Sequence, residues 1–136
     1  MKKLMLCLGM YFLLSTVYAQ HKIGEKYKDG IVFSVDNTGM HGLIADTKDL
    51  VGQMEWDDAV KTCKEKGEGW YLPNKYELNL LYNQKNVVGG FNEISGYWSS
   101  SETDIFGYVW WQEFDKGSQF KGIPIIPASV RAIRAF

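Results

Sequence analysis

Large aromatic side chains crowd one segment of this chain and limit what it can fold into. Tyr97 and Trp98 open the segment, and Tyr108, Trp110 and Trp111 close it. Rings of this size need cover from a hydrophobic core or from a ligand, because leaving them in water is unfavourable. The segment therefore predicts an aromatic-rich fold with a dense core, a binding surface, or both at this place.

Polarity alternates along residues 108–114, as it does in a half-buried β-strand. Trp111 shares its face of that strand with Glu113, whereas Trp110 points to the other, more apolar face. Adjacent residues of a strand point to opposite faces, so both tryptophans cannot lie in one core layer. We expect Trp98 and Trp110 in the core and Trp111 partly exposed.

Residues 1–19 have the parts of a secretory signal peptide. Lys2 and Lys3 supply positive charge, an apolar run follows, and Ala19 ends a cleavage signature before Gln20. The apolar run is about 11 residues long, whereas a membrane-spanning helix needs about 20. We therefore expect an exported protein with a single domain over residues 20–136 and no transmembrane segment after processing. Periplasm, cell surface and extracellular space remain alternatives.

Charge and cysteine content argue against two kinds of protein. Loss of Lys2 and Lys3 reduces 15 basic residues to 13, against 16 acidic ones. The chain has no run of five lysines or arginines, so no nucleic-acid partner is expected. Cys63 is the single cysteine of the predicted mature chain, which excludes an intrachain disulfide. Its stability must come from packing.

The first half of the domain predicts a β-hairpin and two helices. Residues 30–35 and 41–45 are strand-like and flank a segment rich in turn-forming residues. Asn74 lies three residues before Glu77, a capping-box arrangement that marks the start of the second helix. The first helix shows an apolar stripe at positions i, i+3, i+4 and i+7, formed by Trp56, Ala59, Val60 and Cys63.

The second half predicts mainly strands. Residues 84–96 have no clear period and read as a long loop. Strands follow at residues 97–100, 108–114 and 118–121, and a closing strand at residues 129–136. One of Arg131 and Arg134 is expected to form an ion pair with Glu102 or Glu113. This order predicts an α+β fold with two helices packed on antiparallel sheet.

Four motifs in this order resemble the Lcl C-terminal domain family: GWYLPNKYELNLLY, YWSSSE, VWWQEF and VRAIRAF. Members of that family are similar to proteins of the C-type-lectin-like fold. The resemblance implies that the N-terminal and C-terminal strands pair as neighbours. It also implies a ligand face built from the central loop and the adjacent strands, for which residues 84–96 are the match.

The resemblance suggests a calcium site, because sugar-binding C-type lectins hold calcium, but the sequence argues against one. Calcium-binding lectins carry Glu-Pro-Asn, Gln-Pro-Asp or Trp-Asn-Asp motifs, and this chain has none. Calcium needs about six to eight oxygen ligands, and the candidates are scattered: Asn86, Asn92, Glu93, Glu102 and Asp104. We expect neither a metal site nor another cofactor, and a weak calcium site stays the alternative.

No catalytic residue is predicted. Cys63 lies on the apolar helix stripe, where a cysteine is usually an inert packing residue. His21 and His41 have no nucleophile or carboxylate at a recognised catalytic spacing and read as solvated surface residues. We therefore do not expect an enzyme.

The functional hypothesis is an exported, non-catalytic binding or adhesion module that recognises a glycan, a surface polymer or a cell-surface protein. Aromatic faces stack on sugar rings and apolar ligands, and neighbouring polar side chains fix their orientation. The alternative is a structural or assembly component of a cell-surface complex. The candidate ligand-binding residues are Trp98, Ser100, Glu102, Trp111 and Gln112.

Overall fold

A computed structural model describes residues 18–136 of the chain, so the predicted signal peptide lies almost wholly outside the described residues. The described part of the chain is built from short strands and three helices. In chain order they are β1 (Lys26–Tyr27), β2 (Gly30–Val35), β3 (Gly42–Asp46), α1 (Trp56–Glu65), β4 (Trp70–Tyr71), α2 (Lys75–Asn83), α3 (Lys85–Val88), β5 (Gly96–Glu102), β6 (Val109–Glu113), β7 (Gln119–Gly122) and β8 (Ile133–Ala135).

The larger sheet brings the two ends of the described chain together. Its strand order is β1-β2-β3-β8-β4, and every pairing is antiparallel. Ile133 of the last strand faces Ala45 on one side and Tyr71 on the other. The C-terminal strand thus pairs with β3, the return strand of the N-terminal hairpin. It does not pair with β2, because β1 and β3 already occupy both edges of that strand.

The smaller sheet contains the aromatic segment and has the order β5-β6-β7. Its register places Trp98, Trp111 and Phe120 side by side across the three strands. A register shift between Trp98 and Glu102 bends the first strand. The turn before β7 contains Gly117 at φ +81, as the sequence predicts for a hairpin.

Both predicted helices form, and each for the predicted reason. In α1 the stripe residues Ala59 and Cys63 are buried. In α2 the side chain of Asn74 accepts a hydrogen bond from the Glu77 backbone N–H at 2.8 Å. The Glu77 carboxylate accepts one from the Asn74 N–H at 3.0 Å, so two backbone donors at the start of α2 are satisfied.

Two clusters of buried side chains hold the sheets and helices together. One cluster joins α1 to the larger sheet and to Trp98 of the smaller one. The other joins α2, through Leu78 and Leu81, to Phe33 of the larger sheet and Phe114 beside the smaller one. The fold class is therefore the predicted one, α+β with helices packed on antiparallel sheets.

Three local predictions were wrong. The segment 84–96 begins with the short helix α3 rather than a loop. The closing strand covers 133–135 and not 129–136, because residues 130–132 form no ladder with another strand. His21 is not a solvated surface residue, since its ring packs 3.9 Å from that of Tyr27 and 5.1 Å from that of Phe136.

Candidate ligand-binding cleft

Trp111 lies flat across the smaller sheet because two glycines leave room for it. A Cβ atom on Gly96 would lie 1.8 Å from the Trp111 ring, and one on Gly122 would lie 2.5 Å from it. Gly96 is in β5 and Gly122 in β7, on either side of the strand that carries Trp111. The indole is therefore in direct contact with backbone on one side, and it is half-buried. The Phe120 ring, 5.4 Å away, fixes it further.

A cleft of about 430 Å³ opens beside this ring. Its apolar wall consists of Trp98, Trp111, Ile94, Ile123, Ile126, Pro127 and Ala128. All three isoleucines of this wall are exposed to solvent: Ile94 at 98%, Ile123 at 46% and Ile126 at 56%. Exposed apolar side chains around a concave surface mark an interaction site.

Few polar groups line the cleft, and most are already engaged. The Gln53 amide donates to Ser95 Oγ at 2.7 Å, and Ser129 Oγ donates to the same oxygen at 2.9 Å. Lys121 Nζ lies 2.6 Å from an Asp104 carboxylate oxygen. This hydrogen bond and the ammonium charge lower the pKa of Asp104. Within residues 18–136 the Trp111 indole N–H has no hydrogen-bond partner, so a ligand oxygen can accept from it.

An acidic recess of about 140 Å³ adjoins the cleft and is also lined by Trp111. Glu93, Glu113 and Asp115 supply its carboxylates. Glu93 is paired with Lys85 Nζ at 3.0 Å. Trp111 and residues 94–96 line both the cleft and the recess, so the two form one continuous surface.

The structure brings only part of the predicted site together. Trp98 and Trp111 both line the cleft, although Trp98 is 2% exposed and its indole donates to the Met54 carbonyl at 2.9 Å. Glu102 lines a different cleft. Ser100 lines neither, and its backbone N–H donates to the Pro73 carbonyl at 2.8 Å.

Gln112 is a buried residue and not a ligand contact. Its side chain is fully buried, and its amide donates to Asn79 Oδ1 at 2.9 Å and to the Gly117 carbonyl at 3.0 Å. It points to the face of the smaller sheet that α2 covers. The prediction failed because a polar side chain on a strand can form its hydrogen bonds inside the protein, here with the hairpin turn and α2, as readily as with a ligand.

Trp110 was expected in the core, and it is half-buried instead. Lys75 Nζ lies 3.5 Å from the centre of its ring, and Lys121 Nζ lies 5.8 Å from it. Lysine side chains therefore cover this ring in place of apolar residues, through cation–π contact. Trp111 is partly exposed, as predicted.

The second cleft, of about 470 Å³, lies between the start of α1 and the loop 103–107. Phe106 at the loop tip is fully exposed. Glu102 and Asp104 line this cleft, while Glu93 lines the recess beside Trp111, so the calcium candidates are not in one place. Among residues 18–136 no group of three or more His, Cys, Asp or Glu side chains is arranged to hold a metal ion.

Sequence reasoning missed the isoleucines and glycines that shape the cleft. No sequence signal marks Gly96 and Gly122, because their role depends on strands that pair across the sheet. The signal for Ile123 and Ile126 was present in the sequence, since prolines at 124 and 127 prevent that segment from forming a regular strand. In the structure the isoleucines of this segment lie on the surface.

In the described part of the chain, no helix has the length and hydrophobicity needed to span a bilayer. No family model matches the chain, and no curated protein is similar to it in sequence. Among solved structures, the crystal structure of botrocetin is similar, with a TM-score of 0.49 and 12% identity. That match covers 80% of this chain and 93% of botrocetin. At this TM-score and identity, nothing about the ligand follows from it.

Proposed function

We propose that this protein is an exported, non-catalytic binding or adhesion module whose ligand binds in the cleft beside Trp111. The observation that carries the proposal is the position of the Trp111 indole, held against Gly96 and Gly122 with its N–H unpaired within the described residues. A rigid aromatic ring that keeps a free donor is a typical anchor for a ligand. Membership of the Lcl C-terminal domain family and export remain predictions.

The lining of the cleft favours a cell-surface protein as the partner. Ile94, Ile123 and Ile126 offer apolar contact but no hydrogen bonds. A sugar ring would bring several hydroxyl groups into this surface, and each unpaired hydroxyl is costly to bury. An aliphatic or aromatic side chain from another protein has no such requirement.

A glycan is the second candidate, and Trp111 itself favours it. The apolar face of a pyranose ring stacks on an indole, and an oxygen of an adjoining sugar unit at the edge of the indole can accept from its N–H. A glycan would then contact the tryptophan and leave the isoleucines outside the interface.

Replacement of Trp111 tests the site, with Trp110 as the matched control. Both tryptophans are half-buried in β6, but they point to opposite faces. We expect Trp111→Ala to lose binding to peptides selected from a random display library, by roughly tenfold or more, while Trp110→Ala keeps it. Trp111→Phe keeps a ring but lacks the N–H, so it separates stacking from hydrogen bonding.

The same variants on a glycan array distinguish the two ligand classes. Glycan binding that depends on Trp111 and not on Trp110 would establish the second candidate. If Trp111→Ala folds and binds every selected peptide and glycan as the unmodified protein does, the cleft is not the binding site.

A further inference from the structure

We propose that the partner segment is basic as well as apolar: it places an aliphatic or aromatic side chain in the Trp111 cleft and a lysine or arginine, two residues away, in the acidic recess. This inference rests on the proposed binding function and adds the chemistry of the ligand. It follows from the shared wall between the cleft and the recess.

The spacing comes from the strand that carries both features. Trp111 and Glu113 are two residues apart in β6, so their side chains emerge from the same face of the sheet. Two residues of extended chain cover about 7 Å. A partner segment in extended conformation presents its own i and i+2 side chains on one side, at the same spacing. An apolar residue over Trp111 therefore brings the i+2 residue to Glu113.

The charge in the recess is negative and largely uncompensated. Glu93 is neutralised by Lys85. The carboxylates of Glu113 and Asp115 form no ion pair within residues 18–136, and the neighbouring Lys116 forms none with them. A cationic group in the recess would meet both carboxylates. It would also lie next to the Trp111 ring, which attracts cations through its π face.

An acidic or neutral partner fits this surface less well. An acidic side chain next to Trp111 would face Glu113 and Asp115 at short range, and like charges in contact oppose binding. On the cleft side, Lys121 is already paired with Asp104 at 2.6 Å and does not reverse the local charge. Charge complementarity therefore selects a basic residue on one side of the apolar anchor.

Random nonapeptide display on the purified protein tests the inference directly. We expect the selected peptides to share an apolar residue followed or preceded, two positions away, by lysine or arginine. Binding of these synthetic peptides should weaken roughly two- to fivefold in Glu113→Gln and in Asp115→Asn, because each removes one partly exposed charge pair. It should also weaken as salt is raised. Glu65→Gln, on α1 and outside the recess, is the matched control.

The outcomes separate this inference from the function on which it rests. Peptides that need Trp111 but show no basic preference, or that bind Glu113→Gln equally well, overturn the inference and leave the binding function standing. If no peptide depends on Trp111, both fail. Trp111-dependent binding to neutral glycans alone, or self-association that the same variants abolish, also overturns the basic-peptide proposal.

Discussion

Cys63 shows how burial changes the chemistry of a single residue. Its side chain is fully buried in the cluster that joins α1 to the larger sheet. Burial raises the pKa of its thiol from 9.0 to about 12, and the nearby Asp46 carboxylate adds to the effect while Lys66 opposes it. The thiolate is the reactive form of cysteine, so this thiol stays protonated and unreactive in the folded protein at neutral pH.

The raised pKa of Cys63 predicts a loss of stability in alkali. The folded state holds the proton to higher pH than the unfolded chain, so its contribution is complete below pH 9 and declines as the pH rises toward about 12. Between about pH 9 and about pH 12 the unfolding free energy of Cys63→Val should therefore fall less steeply than that of the unmodified protein, by up to about 1.4 kcal/mol per pH unit. Urea unfolding with a reductant present measures this.

Tyr71 and Tyr97 set the background for that experiment. Burial raises the pKa of both phenols, and hydrogen bonds to Glu77 and Asp49 respectively raise them further. The unmodified protein and Cys63→Val therefore lose the same unfolding free energy through these tyrosines as the pH rises. The difference between them reports on the thiol alone, and parallel declines would show that Cys63 ionises equally easily in the folded and unfolded states.

At the scale of elements, short sequence patterns predicted the start of α2 and the buried face of α1, because contacts within a few residues determine both. The Asn74–Glu77 capping box fixed the start of α2, and the period of Ala59 and Cys63 fixed the buried face of α1. The conformation of segment 84–96 was harder to predict, because a residue distant in sequence holds it in place. Its backbone is held by Arg131, a residue about 40 positions away in sequence, and no local pattern reveals such a contact.

Arg131 fastens that segment to the larger sheet from inside the molecule. It is 1% exposed. Its Nε donates to Asp49 Oδ1 at 2.8 Å, and its terminal nitrogens donate to the carbonyls of Asp46, Gly89 and Gly90 at 2.8 to 3.1 Å. Arg134 forms no ion pair within residues 18–136, so the expected pair of one of these arginines with Glu102 or Glu113 was wrong. In a chain without a disulfide in its described part, this network ties together segments distant in sequence.

Removal of the guanidinium should loosen the segment and weaken the fold. We expect Arg131→Met to lower the free energy of unfolding by roughly 3–5 kcal/mol, because three carbonyls lose the guanidinium donor and the Asp49 carboxylate keeps the Tyr97 hydroxyl but loses its cation. Arg134→Met, half-buried in β8, is the control and should cost far less. Hydrogen exchange should also show faster opening of the amides in 89–92. If Arg131→Met cost as little as a surface substitution, within about 0.5 kcal/mol, the network would be dispensable.

At the scale of the whole molecule, the sequence predicted the class of the fold but not the partner of its last strand. The residue types in the N-terminal and C-terminal segments do predict strands. Which strand edge is open, however, depends on β1, a strand of two residues with no sequence signal of its own. The cleft was predicted in part for the same reason: Trp111 was visible in the sequence, whereas its position over Gly96 and Gly122 follows from strand pairing.

The position of β8 makes the cooperativity of the whole domain testable. This strand lies between β3 and β4, so it joins the N-terminal hairpin to the segment that links the two long helices. Ile133 within it is fully buried. We expect removal of residues 133–136 to abolish the cooperative urea transition and the near-ultraviolet circular dichroism of the tryptophans, because both neighbours lose their hydrogen-bond partner and the core loses an isoleucine.

Ala135→Ser is the control for that truncation, since Ala135 is exposed in the same strand and its side chain contributes little to the core. It should unfold within about 0.5 kcal/mol of the unmodified protein. A truncated chain that still unfolds cooperatively at the same urea concentration would show that β3 and β4 hold their places without β8. The larger sheet would then be two independent parts, and the rigid frame behind the Trp111 cleft would have to come from the smaller sheet and α2 alone.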